Sequence, residues 1–155
     1  MDTSKSINDP WSVIHYEVTM YWGTRKAIDI VSKLPDGDVI RNAVVESLIL
    51  HTRILTDILL SKGKSSDDIL LKNIMPDWVM RDGHDMLQQS RNAYGKTNIP
   101  NSPCWVINKM LAHPTILRTN NFDYSVTLNK IEPIIFKILH ALSTITRRPR
   151  LFPYE

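Results

Sequence analysis

The chain has 155 residues, 43% of them hydrophobic and 23% charged, with a net charge of +3, which suits one globular domain with a real core. No run approaches the ~18 consecutive apolar residues of a membrane span, and the polar opening from Met1 to Pro10 lacks the apolar stretch of a secretory signal. A single cysteine, Cys104, excludes a disulfide framework and a cysteine zinc site, and the expected compartment is the reducing cytoplasm.

Nine prolines against five glycines predict firm helix stops and few tight turns. Residues 1–10 read as a flexible lead. Trp11 to Leu34 has helical apolar spacing, with Asp9 placed to cap and Pro10 in the first turn. Pro35-Asp36-Gly37 is a turn. Asp38 is placed to cap a second helix running to about Ser61, where Lys62-Gly63-Lys64 ends it.

Ser65 to Trp78 reads as a connector with one or two helical turns; Ser66, Asp67 and Asp68 are its cap candidates and Pro76 its stop. Asp82 to Tyr94 predicts a modest surface helix, and Gly95 to Ser102 a polar loop. Ser102-Pro103 is a cap-then-first-turn signature for a helix ending near His113-Pro114. After Asn120-Asn121, Asp123 can cap a last helix to about Ser143, with a kink or restart at Pro133. No segment alternates with the period of a strand. The fold class is therefore all-α: an antiparallel bundle of four main helices with short connecting helices, built around the central helix at about 38–61. The domain spans 11–145, and 146–155 forms a basic tail.

The central helix is apolar on every side yet carries Glu46, His51, Arg53 and Asp57. At ~100° per residue, Asn42, Glu46, Arg53 and Asp57 share one narrow stripe, and Arg53 and Asp57 stand one turn apart. A guanidinium between two carboxylates predicts a buried polar network that fixes helix register. If the stripe instead faces a cleft, it meets the second polar cluster, Asn108 and Lys109 with His113 and Arg118. His113 falls on another turn of the Lys109 face. There it could take a proton from a ribose 2′-hydroxyl while Lys109 or Arg118 offsets phosphate charge. A histidine beside Pro114 is better suited to capping the carbonyls of a helix end. His51 lies off the stripe and is placed to hydrogen-bond into a neighbouring helix.

His15, His51, His84, His113 and His140 show no metal-ligand spacing, so no metal is expected; nor is any cofactor, for want of a glycine phosphate cradle. The tryptophans are scattered, as packing anchors are. Arg147, Arg148 and Arg150 can touch phosphate or an acidic partner, or simply solubilise the terminus.

Two stretches carry a resemblance: Val45-Glu46-Ser47-Leu48-Ile49-Leu50-His51-Thr52-Arg53-Ile54-Leu55-Thr56-Asp57 and Ile107-Asn108-Lys109-Met110-Leu111-Ala112-His113-Pro114-Thr115, with Asp67-Asp68-Ile69 between them. In this order they resemble a family of small uncharacterised bacterial proteins, which implies a shared helical fold. More distantly the chain is similar to HEPN domains, helical bundles that include ribonucleases of toxin and phage-defence systems. Their signature of an arginine, a polar residue and then a histidine is approached by Lys109 to His113, with lysine in the arginine's place. The expected function is a non-enzymatic helical protein acting through protein contacts, a homodimer among them. The alternative is a HEPN-like metal-independent ribonuclease or RNA-binding protein.

Overall fold

The computed structural model describes residues 9–35, 37–63, 68–112 and 124–148. Seven helices occur among them: α1 (Pro10–Val31), α2 (Asp38–Leu60), α3 (Leu71–Ile74), α4 (Pro76–Met80), α5 (His84–Tyr94), α6 (Pro103–Ala112) and α7 (Tyr124–Thr146). There is no strand among the described residues. Three helices are long, at 22, 23 and 23 residues, whereas α5 and α6 have 11 and 10. The expected set of four main helices is thus three long ones and two of half that length.

Local signals explain most boundaries. The Asp9 side chain accepts a hydrogen bond from the Trp11 amide at 3.2 Å, and Pro10 opens α1, since a proline there loses no intrahelical bond. At α6 the Ser102 hydroxyl accepts from the Trp105 amide at 3.1 Å, with Pro103 as the first helical residue. Asp38, by contrast, does not cap α2: it is the first helical residue, and Gly37 precedes it without a side-chain cap. Pro76 ends α3 and at once starts α4. Gly95 ends α5 at a φ of +81°, where a β-carbon would lie 2.5 Å from Ser102 Cβ; a side chain there meets both strain and a clash. Asp36, Ser66, Asp67 and Asp123, expected at turns or caps, lie outside the described residues.

The α1–α2 hairpin is the principal packing unit. Glu17, early in α1, meets His51, late in α2, so the two helices run antiparallel. Ile14, Val18 and Tyr21 face Val45, Leu48, Ile49 and Leu55 within one buried cluster. The opposite flank of α2 is covered by α5 and α6, and α7 packs on α2, α5 and α6. From α7 the cluster receives Leu128, Ile131, Ile135, Ile138, Leu139 and Leu142.

Pro133 neither stops nor restarts α7, which runs through it. Its side chain is exposed, and so is Asn129, whose carbonyl loses its helical partner. Water can satisfy that carbonyl, so a proline is tolerated on this face.

Candidate functional site

Of Glu46, His51, Arg53 and Asp57 on α2, His51 is the one the fold buries. Its Nδ1 donates to Glu17 Oε2 at 2.6 Å, and the two side chains are 9% and 8% exposed. The Tyr16 ring stands edge-on to the imidazole at 6.2 Å. His51 therefore bonds into a neighbouring helix, as its position off the stripe implied. Its partner went unforeseen, although the signal was present: Ile14, Glu17, Val18 and Tyr21 share one helical face, which set Glu17 among core residues.

The stripe itself is corrected. Asn42 and Glu46 are exposed, and the Arg53 and Asp57 side chains, 3.8 Å apart, are 40% and 61% exposed. The grouping was right and the burial was not. Residues Leu48, Ile49, His51, Thr52, Leu55, Thr56, Ile58, Leu59 and Leu60 of α2 are buried, an arc of about 200° at 3.6 residues per turn. Glu46, Arg53 and Asp57 fall on the remaining arc, open to water, and Leu50 falls there with them.

Arg53 and Asp57 nevertheless border a three-helix seam. The buried Tyr94 hydroxyl of α5 lies 2.9 Å from Thr56 Oγ1, which also donates to the Arg53 carbonyl at 2.8 Å. A threonine has one proton to give. When Thr56 gives it to Tyr94, the phenol's own proton is left for Cys104. Cys104, in the first turn of α6, adjoins the same group. Burial raises its thiol pKa, a Tyr94 hydrogen bond opposes this, Asp57 raises it further and Arg53 lowers it. The net upward shift leaves a protonated, weakly nucleophilic thiol at neutral pH. Arg91 of α5 closes the seam, donating from Nε to the Leu60 carbonyl at 2.8 Å at the end of α2.

Asn108, one turn beyond Cys104, is partly buried, and Lys109 Nζ sits 5.8 Å over the Trp105 ring. His113 and Arg118, the other members of that polar cluster, lie outside the described residues.

A further polar group joins α1 to α7. Glu132 Oε1 accepts from the Tyr21 hydroxyl and, at 3.0 Å, from Arg25 Nε. Beside it Trp22 and Phe136 stack with centroids 5.2 Å apart. Burial first, then the hydrogen bond to Glu132, drives the Tyr21 pKa far above its ordinary value.

Of the three tail arginines, Arg148 is engaged: it lies 3.6 Å from Asp9 and 5.2 Å from the Trp11 ring centroid. Arg147 ends α7 at a φ of +52°, and Arg150 lies outside the described residues. Among the described residues no cluster of histidine, cysteine, aspartate or glutamate is suited to a metal ion, and no helix is long and apolar enough to cross a membrane. No family model, no curated protein and no solved structure matches the chain.

Proposed function

We propose that this chain is an antiparallel helical bundle that acts through protein contacts rather than catalysis. The supporting observation is where it spends its apolar surface. The buried ionisable pair Glu17–His51 is sealed in the hairpin, while Ile30, Leu34, Val39 and Ile40 are exposed around the α1–α2 turn, Val39 by 79%. Exposed apolar residues gathered at one end of a domain favour association. Sedimentation of the wild type beside Val39→Asp tests this. A wild-type assembly that the variant loses, at unchanged thermal stability, supports it; identical sedimentation coefficients with the same partners bound would refute it.

A second reading, a HEPN-like metal-independent ribonuclease, gains support from one juxtaposition. Arg53 is part-exposed and within electrostatic reach of Cys104 on α6, the helix that carries Asn108 and Lys109 toward His113 in sequence. Arginine supplies the bidentate phosphate contact that Lys109 cannot. In this reading His113 removes the ribose 2′-hydroxyl proton, and Arg53, Lys109 or Arg118 offsets charge on the phosphorus oxygens. RNA cleavage in chelator, lost in both His113→Ala and Arg53→Ala, is the expected result. Absence of cleavage by well-folded wild type sinks it.

A further inference from the structure

The outward face of α7 has one sign of charge. At 3.6 residues per turn, Val126, Lys130, Pro133, Lys137, His140 and Thr144 fall within about 80° of arc, and all six are exposed. The core residues Leu128, Ile131, Ile135, Ile138, Leu139 and Leu142 lie on the opposite side. The helix has one acidic residue, Glu132, and it is turned inward to Tyr21 and Arg25. Arg147, directly after the helix, is also exposed. From Lys130 to Arg147 the row covers about 25 Å at 1.5 Å per residue.

We propose that this stripe binds the phosphate backbone of a nucleic acid, with Lys130, Lys137 and Arg147 as the contacting cations. A row of cations that no acidic neighbour on its own helix interrupts matches a linear polyanion. An anionic membrane fits less well, because docking there needs a broad apolar face beside the cations. Here the outer arc offers only Val126 and Pro133, with Ile145 at its edge. Arg148 is left out of the set because Asp9 and Trp11 hold it. The contacts are to phosphate alone, so binding is sequence-independent and steeply salt-dependent. Three phosphates neutralised on a single strand give a slope of log affinity against log salt of about −2.

Fluorescence anisotropy with a labelled single-stranded 20-nucleotide RNA, between 50 and 200 mM salt, tests the proposal in the full chain. The wild type should bind with that slope. Lys130→Glu/Lys137→Glu should lose at least tenfold in affinity at low salt with an unchanged melting curve, both sites being exposed. Arg81→Glu, an exposed charge reversal between α4 and α5, should bind as wild type does, which separates the α7 stripe from an effect of total charge. Three outcomes would overturn it: no binding by wild type, binding that the double variant retains, or binding that disappears on truncation after Thr146 yet ignores the two lysines. Polyglutamate or anionic vesicles binding better than the RNA would also overturn it, by assigning the stripe to another partner.

Discussion

Glu17 and Arg53 both carry charge on long helices, yet their surroundings assign them opposite weight. Glu17 is buried against His51, so Glu17→Ala leaves an imidazole without its acceptor and should cost about 1–3 kcal/mol. Arg53→Ala removes a part-exposed partner of Asp57 and should cost about 1 kcal/mol or less. Urea titrations of the two variants check the order; a larger loss for Arg53→Ala would mean that the stripe is buried after all. Two tyrosines give the fold a pH limit. Burial is the main cause holding Tyr21 and Tyr94 above the ordinary value of 10.0. A group harder to deprotonate when folded contributes stability that is complete below its unfolded pKa and fades as pH rises toward the folded one. Stability should therefore fall above about pH 10. In a spectrophotometric titration Tyr21→Phe and Tyr94→Phe should each remove a late-ionising group; removal of an early one contradicts their burial.

At the level of helices, sequence signals placed the segments well because capping and proline effects are local. Asp9-Pro10 and Ser102-Pro103 start helices where expected, and both depend on atoms within three residues of the cap. Ser102→Ala should lower stability by about 1 kcal/mol, measured by thermal melting; an unchanged melting temperature would show that Pro103 alone sets the start. Pro133 was harder to read, because a proline in mid-helix breaks or bends it according to whether the orphaned carbonyl reaches water. On the outer face of α7 it does. Pro133→Ala should stabilise the chain, by up to about 3 kcal/mol; a loss of stability would show that α7 packs better with the proline in place. The central helix was misread in one respect. An apolar composition on all sides predicts burial on all sides, but two flanks suffice: α1 covers the side of His51, and α5 with α6 covers that of Thr56. The arc between them stays wet, with Leu50 exposed on it.

Across the whole molecule, α1 and α7 lie far apart in sequence and are tied by Glu132, Tyr21, Arg25 and the Trp22–Phe136 stack. As the α1 partners advance from Asp9 through Trp22 to Arg25, those on α7 and just beyond it retreat from Arg148 through Phe136 to Glu132, so the two helices run antiparallel. Glu132→Ala removes the acceptor of both Tyr21 and Arg25 and should cost about 1–3 kcal/mol, more than Arg25→Ala, whose guanidinium is a third exposed. Equal losses in a double-mutant cycle would place the whole effect in the ion pair. By itself the sequence determined the helical class, most helix starts, the grouping of Asn42, Glu46, Arg53 and Asp57 on one stripe, and the separate side taken by His51. These follow from 3.6-residue periodicity and from caps acting within a turn. Only the tertiary structure decided which stripe meets water, that Glu17 is the partner of His51, that Tyr94 and Cys104 join Arg53 and Asp57, and that Arg148 folds back on Asp9. Each of those depends on which helices become neighbours, a choice made by long-range burial that no local pattern records.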